Sequence, residues 1–197
     1  VLSYMLSLAS IYHPYELEFA IIDFKDGNMA ARFENLPHLV TSITNKDNSG
    51  DELSKMELKK QIKRSLLSLR NEYDRRAKIV AEELQIFGES TKDINSYMHH
   101  YKKGEIKKPL PHLVIFVDEF VELKNEYPEV ITELISIAGR GRYVGMHLIL
   151  STNNADKITE DIKSNSKFSV CLKVQDKSES SAVIGSPDAS FINNRGR

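Results

Sequence analysis

Two adjacent acidic residues, Asp118 and Glu119, directly follow five consecutive apolar residues, 113–117. A short apolar run of this kind is typical of a strand buried on both faces of a parallel sheet. Ligands bind at the carboxyl edge of such sheets, where both carboxylates would emerge. There one acid could hold Mg²⁺ through its water shell while its neighbour orients a water against a γ-phosphate. The alternative is a strand that ends in two solvated acids, and the run alone does not decide between them.

Polar residues also close two other apolar runs. Asp23 lies at the end of the predicted strand 17–24, and Thr152 and Asn153 follow the predicted strand 146–151. Because the carboxyl ends of parallel strands meet at one edge, we expect these side chains to line the same crevice as the two acids. Asn153 would then contact the γ-phosphate or its attacking water, although an Asn at a strand end also fits ordinary turn chemistry.

The elements that must position these residues follow from the apolar spacing along the chain. It predicts helices over 1–12, 52–87, 130–138 and about 155–163, and strands over 17–24, 39–43, 113–117, 146–151 and 168–174. The alternation of strand and helix favours an α/β fold with a mostly parallel sheet and helices on both faces. No break in composition divides the chain, so a single domain over 1–197 is expected.

Composition excludes several classes of protein. The 197 residues are 28% charged with a net charge of -1, so no global basic field draws the chain to nucleic acid or anionic lipid. Cys171 is the only cysteine, which excludes an internal disulfide and a thiolate metal cluster and fits a reducing compartment. No apolar run is long enough for a membrane span. The chain begins at Val1 rather than Met, and we expect it to be a piece of a longer protein.

Basic residues and histidines give weaker signals. The predicted helix 52–87 carries a basic face, but acidic residues are interleaved along it, so a solvated face is favoured over phosphate contact. His99 and His100 would point about 100° apart on a helix, which suits no shared metal. The other histidines flank prolines or strands and are expected to pack or to cap, namely His13, His38, His112 and His147.

One expected element does not occur in the sequence. A buried strand followed by paired acids is the Walker B arrangement of a P-loop ATPase, but the chain has no G-x-x-x-x-G-K-[ST] loop. That loop supplies the backbone amides and the lysine that hold the β- and γ-phosphates. Since the chain opens inside a predicted helix just before a strand, we expect it to be truncated immediately after the Walker A strand and loop. The glycine-rich run 139–145 follows a helix and leads into a strand, the wrong order for a dinucleotide loop.

Short runs spread over nearly the whole chain resemble the FtsK/SpoIIIE family of ATPases. They include His13-Pro-Tyr-Glu16, Ile22-Asp-Phe-Lys25, Leu36-Pro-His-Leu39, Asp118-Glu-Phe120, Gly145-Met-His-Leu-Ile149 and Leu172-Lys-Val-Gln-Asp176. The Asp-Phe-Lys-x-Gly-x-Met run and the Leu-Pro-His-Leu segment are most similar to the secretion branch, the EssC/EccC coupling ATPases of type VII secretion. The resemblance implies a RecA-like P-loop NTPase core, truncated at both ends, that takes ATP and Mg²⁺.

The resemblance also implies roles for particular residues. Asp118 would be the acid linked to Mg²⁺ through water, and Glu119 would be the base that positions the hydrolytic water. Asp23, Lys25 and Thr152 would contact the nucleotide.

Two departures from the family pattern indicate a slow or degenerate module. The family's sensor run is Leu-Ala-Thr-Gln, and here it is Leu150-Ser-Thr-Asn153, one methylene shorter at the sensor. The loop that begins at Asp23 gains an acid at Asp26 and loses the backbone freedom of glycine at Asn28.

A further pair of residues is a candidate for catalysis between subunits. Arg140 and Arg142 could form an arginine finger that reaches a neighbouring subunit, because a cationic fork stabilises transition-state charge and is often supplied in trans. Surface salt bridging is an alternative of equal weight.

The function implied by the resemblance is an ATP-hydrolysing motor module of a membrane-anchored type VII secretion ATPase that drives or gates protein export. It would lie at the cytoplasmic face of the membrane, and without its Walker A loop the fragment alone would be inactive. Its partners would be other ATPase modules of the same chain, secreted proteins, copies in a hexamer and the secretion-membrane complex.

A DNA translocase of the same family is an alternative function, although DNA is not an expected partner. A degenerate module that docks substrate signal segments without hydrolysis is another.

Overall fold

The computed structural model describes residues 1–24, 27–46 and 51–194. The chain divides into two compact units, Val1–Ser151 and Thr152–Arg197, and each is described separately. The assignment of 1–197 to a single domain stays a prediction. Within the described ranges, no helix has the length and apolar content needed to cross a membrane.

The first unit is built on a four-stranded sheet. Its strands are β1 (Leu17–Asp23), β2 (Leu39–Thr44), β3 (His112–Asp118) and β4 (Met146–Leu150). Their order in the sheet is β2-β1-β3-β4, and every neighbouring pair is parallel. Strand β3 is almost continuously apolar and lies between two neighbours, as expected for a strand that is buried on both faces.

Six α-helices surround this sheet within the described part of the first unit. They are α1 (Leu2–Ile11), α2 (Asn28–Arg32), α3 (Lys55–Ile86), α4 (Ile94–Lys102), α5 (Phe120–Glu126) and α6 (Pro128–Gly141), and a 3₁₀ turn follows at Arg142–Val144. The predictions of α1, α3 and α6 are confirmed to within three residues at each end, whereas the sequence patterns did not indicate α2, α4 or α5.

Helices pack on both faces of the sheet because side chains alternate across each strand. On one face, Phe19 and Phe116 pack with Met5 of α1 and Met29 of α2. On the other face, Ile22 and the long helix α3 line a common small cavity together with α6. The predicted arrangement of helices on both faces is therefore confirmed.

A capping box defines the start of the long helix α3, and a left-handed glycine follows its end. Ser54 and Glu57 form a capping box, in which the Ser54 hydroxyl accepts from the Glu57 backbone and the Glu57 carboxylate accepts from the Ser54 backbone. At the other end, Gly88 has φ +66°, the left-handed conformation expected of a helix stop. Beyond it, His100 of α4 stacks on Phe87 with ring centroids 4.0 Å apart, which ties the two helices together.

A buried arginine anchors α3 to the amino edge of the sheet. Arg76 is 1% exposed, and its Nε donates to Glu72 Oε1 at 2.7 Å. Its Nη1 donates to the carbonyl oxygens of Pro111, just before β3, and Val144, just before β4. Its Nη2 lies 3.8 Å from the Glu18 carboxylate on β1. One guanidinium thus holds three strands at the edge opposite to the predicted site.

Two histidines pair across β3 and β4 near the same amino edge. His112 Nδ1 and His147 Nε2 lie 2.9 Å apart, so one ring donates to the other, and the rings are stacked. Burial, helped by the neighbouring His147 and Arg76, lowers the pKa of His112 from 6.5 to about 4. Burial and Arg76 also lower the pKa of His147. This pair is therefore held neutral, and the expectation that His112 and His147 serve packing agrees with the geometry.

The second unit differs from what the sequence predicts. It contains a 3₁₀ turn (Ala155–Lys157), α7 (Glu160–Asn165), α8 (Lys177–Ile184) and a 3₁₀ turn (Asp188–Phe191). The single helix predicted near 155–163 is wrong, because Ile158 and Thr159 are extended and Thr159 starts a new helix.

The predicted strand 168–174 is also wrong. All of these residues are described, and none of them lies in a strand. The alternating apolar side chains of Phe168, Val170 and Leu172 are 84%, 65% and 54% exposed. Periodicity marks a segment that could pair, but a strand forms only when a neighbour accepts its backbone hydrogen bonds. Within the described part of the chain, residues 168–174 pair with no strand.

We predict that Arg76→Ala lowers the free energy of unfolding by about 3 kcal/mol, because it leaves the carbonyls of Pro111 and Val144 without their donor and removes a buried cation from two partly exposed carboxylates. The matched control is Arg75→Ala, which removes an arginine on the same Glu72 but with a side chain that is 52% exposed. The control is expected to cost less than about 1 kcal/mol. Equilibrium denaturation measures both, and equal losses would contradict the anchoring role of Arg76.

The histidine pair predicts an acid-side loss of stability. Between pH 6.5 and about pH 4 the unfolded chain binds protons at His112 that the folded chain does not, so the free energy of unfolding falls as the pH is lowered through this window. His112→Gln is expected to flatten this dependence. Denaturation at about pH 6.5 and about pH 5 measures it.

His100 supplies a control, because its pKa is shifted in the opposite direction to that of His112. Glu105 and Glu89 raise the pKa of His100, so its stabilisation is present below pH 6.5 and is lost as the pH rises through the raised value. His100→Gln should change this upper range and also the range below about pH 4.5, because His100 lowers the pKa of Glu105. It should not change the slope between about pH 6.5 and about pH 5. A His112→Gln variant with the same acid-side slope as the wild type would show that the pair is not responsible.

Candidate functional site

The parallel register aligns a row of polar residues at the carboxyl edge of the sheet. Asp23 at the end of β1 is the Cα partner of both Thr44 on β2 and Asp118 on β3. On the far side, Val117 pairs with Leu150, which places Ser151 beside Asp118. The row therefore reads Thr44, Asp23, Asp118 and Ser151 across the four strands, and the structure brings the predicted residues Asp23 and Asp118 together.

Asp23 orders the turn that follows β1. Its side chain is fully buried, and Oδ2 accepts a hydrogen bond from the backbone N–H of Met29 at 2.9 Å. Met29 lies in the first turn of α2, where such amides have no helical partner, and Gly27 with φ +68° allows the tight entry. The predicted contact between Asp23 and nucleotide stays a prediction. The predicted ligand Lys25 and the acid Asp26 lie outside the described residues.

The Asp118 side chain is half-buried, and Ser151 binds one of its two carboxylate oxygens. Its Oδ1 accepts a hydrogen bond from the Ser151 hydroxyl at 2.6 Å, a short distance typical of a charged acceptor. Among the described residues, no hydrogen bond to Asp118 Oδ2 is found. One oxygen is therefore fixed by the protein, and the other is available to a solvent or ligand donor.

Glu119 lies in a strained backbone conformation. It has φ +47° and ψ +54°, and within the described ranges it is the only residue other than glycine with a positive φ. This left-handed geometry costs roughly 1–2 kcal/mol for a residue with a side chain. It turns the chain from β3 into α5 within one residue, and the Phe120 N–H then donates to the Ser151 carbonyl at 3.0 Å. Strain of this kind clusters at functional sites.

Thr152 and Asn153 begin the second unit, directly after Ser151. The Thr152 hydroxyl accepts from the Asn154 N–H at 3.1 Å, which is the turn chemistry available to a threonine at a strand end. Asn153 is exposed. The predicted contacts of Thr152 and Asn153 with nucleotide stay predictions.

Arg140 and Arg142 lie at the opposite edge from the acids. Arg140 is near the end of α6, Arg142 follows it, and both precede the amino end of β4. Arg140 stacks over Tyr73 at 5.3 Å, and Arg142 stacks over Tyr143 at 5.2 Å. Because β4 has five residues, about 16 Å of strand separates these arginines from the carboxyl edge. They do not meet Asp118 in the same chain, and their role as a finger in trans stays a prediction.

The donor set limits how a metal could be held. No group of three or more His, Cys, Asp or Glu side chains that could hold a metal occurs in the described part of the chain. Mg²⁺ usually keeps several waters and binds through one or two carboxylates. The available oxygen of Asp118 fits that mode of binding.

Comparison with known proteins identifies the family. A model described as the FtsK/SpoIIIE family matches residues 1–166. The chain belongs to the FtsK/SpoIIIE family. The predicted resemblance is therefore confirmed.

Curated proteins similar to this chain include two that belong to secretion systems. The chain is 42% identical over 196 residues to the type VII secretion system protein EssC of Staphylococcus aureus (strain Mu50 / ATCC 700699), covering 99% of this chain and 12% of that protein. It is 41% identical over 196 residues to the ESX secretion system protein EccC of Geobacillus thermodenitrificans (strain NG80-2), with the same coverage of 99% and 12%. The chain thus spans about an eighth of the length of these relatives.

A solved structure confirms the fold class. The cytoplasmic domain of the Thermomonospora curvata type VII secretion ATPase EccC superposes with a TM-score of 0.76 and 27% identity, covering 97% of this chain and 21% of that one. The parallel sheet flanked by helices therefore has the P-loop ATPase fold of such FtsK/SpoIIIE domains, as predicted.

Sequence reasoning missed one residue of the site. Ser151 bonds to Asp118 although the two are far apart in sequence, and no local pattern marks such a contact. The available signal was the serine itself, since the Leu150-Ser-Thr-Asn153 run has a hydroxyl where the family pattern has alanine.

We predict that Glu119→Gly raises the free energy of unfolding by up to about 1 kcal/mol, because glycine adopts the left-handed conformation without a Cβ penalty. The matched control is Glu122→Gly in the first turn of α5, which should lower the free energy of unfolding by about 1 kcal/mol. Equilibrium denaturation of both variants is the measurement. A destabilised Glu119→Gly protein would show that Glu119 is held by favourable contacts rather than strained.

Proposed function

We propose that this chain is an ATP-hydrolysing module of a membrane-anchored type VII secretion ATPase, in which it drives or gates protein export. The observation that carries the proposal is the pair Asp118 and Glu119, placed at the carboxyl end of a central strand with a strained backbone at Glu119. The similarity to EssC over 99% of the chain supports it. The parent protein would act at the cytoplasmic face of the membrane, with secreted proteins and other ATPase modules as partners.

Each acid has a distinct task in this proposal. Asp118, with Oδ1 fixed by Ser151, offers Oδ2 to water in the shell of Mg²⁺. Glu119 would accept a hydrogen bond from the attacking water and so orient this water toward the γ-phosphate. Bound Mg²⁺ would offset the charge that develops on the phosphate oxygens.

Further residues would complete the nucleotide site. Thr152 and Asn153 would contact the phosphates, and Lys25 would add a cation. Asp23 would act chiefly by ordering the turn after β1, since it is fully buried.

The arginines support an assembly of modules. Arg140 and Arg142 lie at the amino edge, whereas the acids lie at the carboxyl edge. A head-to-tail contact between modules would bring the arginines of one to the acids of the next, and such contacts form a ring when the rotation between modules closes. The neighbouring module would be another ATPase module of the same chain or a copy in a hexamer.

Each of the two alternative functions requires a particular structural feature. For a DNA translocase, the first half of α3 presents exposed basic residues, namely Lys59, Lys60, Lys63 and Arg64. For a docking module, an apolar pocket is needed, but the cavity lined by Ile22, Ile43 and α3 holds only about 10 Å³, no more than one water. The motor module therefore remains the preferred function.

The deciding experiment is ATP turnover by the full-length protein carrying Glu119→Gln. We predict that the turnover of this module falls about 100-fold, because the orienting base is lost. The total rate should then equal that of an Asp118→Asn variant, in which the same module is disabled. The control is Glu122→Gln, an exposed acid three residues away, which should keep the wild-type rate.

Other outcomes identify the alternatives. Turnover unchanged by Glu119→Gln would remove the assignment of Glu119. Normal export without turnover by this module would favour the docking function, and turnover stimulated by double-stranded DNA would favour the translocase.

A further inference from the structure

Ser151 closes the carboxyl edge between β3 and β4 with three polar groups. Its backbone N–H donates to the Val117 carbonyl at 3.0 Å, and its own carbonyl accepts from the Phe120 N–H at 3.0 Å. Its hydroxyl donates to Asp118 Oδ1 at 2.6 Å and lies 3.3 Å from the Val117 carbonyl. The two backbone bonds span the segment 117–120, which contains both acids.

The hydroxyl acts on the carboxylate rather than on the backbone. A serine hydroxyl has one hydrogen, and the shorter bond to a charged acceptor takes it in preference to the longer bond to a carbonyl. The backbone bonds of Ser151 would survive the loss of the hydroxyl. The contribution specific to the side chain is therefore the orientation of Asp118.

Asp118 lies between two unlike neighbours. On the β1 side its Cα partner is Asp23, a second acid, and on the β4 side it meets the Ser151 hydroxyl. The terminal torsion of an aspartate is broad, so its carboxylate has no strong preference of its own. The hydroxyl holds Oδ1 toward β4, and the second oxygen is then presented in one orientation.

We propose that Ser151 is a positioning residue that fixes the Asp118 carboxylate for a divalent cation and its water shell. This inference rests on the proposed function, because it assigns the cation to the same site. Groups that orient a metal-binding side chain typically change metal affinity by 10- to 100-fold when they are lost.

The test uses the full-length protein with Ser151→Ala, Ser151→Thr and Ser65→Ala. Ser65 is a matched control, because its hydroxyl bonds only to the Gln61 carbonyl within α3, at 2.9 Å. One measurement is the Mg²⁺ concentration that gives half-maximal ATP turnover at saturating ATP. The other is Mn²⁺ binding without nucleotide, followed by electron paramagnetic resonance.

The expected result separates orientation from general stability. Ser151→Ala should raise the half-maximal Mg²⁺ concentration about tenfold and weaken Asp118-dependent Mn²⁺ binding by a similar factor. Ser151→Thr keeps the hydroxyl and should restore both values to within about twofold of the wild type. Ser65→Ala should leave both unchanged.

Failure of the inference is distinct from failure of the proposed function. If Ser151→Ala keeps the wild-type Mg²⁺ and Mn²⁺ dependence, the positioning role is overturned while the ATPase assignment stands. If the wild type shows no turnover, the proposed function fails, and Mn²⁺ binding alone decides the inference: weakening by Ser151→Ala supports it. Absence of Asp118-dependent Mn²⁺ binding in the wild type overturns it.

Discussion

The in-register pairing of β1 and β3 is the constraint on which the site depends. It sets Asp23 directly beside Asp118, and the pairing of β3 with β4 sets Ser151 on the other side. Because side chains alternate across a strand, a shift of one residue would turn Asp118 to the opposite face and bury a charge among core side chains. The register of β3 with its two neighbours therefore determines the position of Asp118.

Stability and chemistry occupy opposite edges of the sheet. At the amino edge, Arg76 joins α3 to three strands, and the neutral pair His112 and His147 joins β3 to β4. These hydrogen bonds offset the burial of polar groups. At the carboxyl edge, Glu119 adopts a conformation that costs free energy. A rigid scaffold at one end allows strain at the other, as expected when a residue is held for function rather than for stability.

The sequence predicts features that depend on local pattern and misses those that depend on distant partners. Apolar periodicity located all four strands of the sheet and the long helix α3, because burial is continuous along them. The same rule failed at 168–174, where the pattern is present but no strand pairs with the segment. The contact of Ser151 with Asp118 and the contact between His112 and His147 were missed for the same reason, since each depends on which residue lies opposite in the neighbouring strand. The predicted roles of Asn153 and Arg140 stay predictions, because they depend on a ligand and on a neighbouring module.

Under the proposed function, the separation of the two edges would make hydrolysis depend on a neighbouring module. Asp118 and Glu119 would bind and orient, whereas Arg140 and Arg142 of the same module lie about 16 Å of strand away. Charge that develops on a transferred phosphoryl group needs a cation close to it. If that cation comes from a neighbour, turnover becomes conditional on how modules are packed. Under the proposed function, assembly would control export, because each module would hold a prepared set of acids that acts only when the next module supplies its arginine.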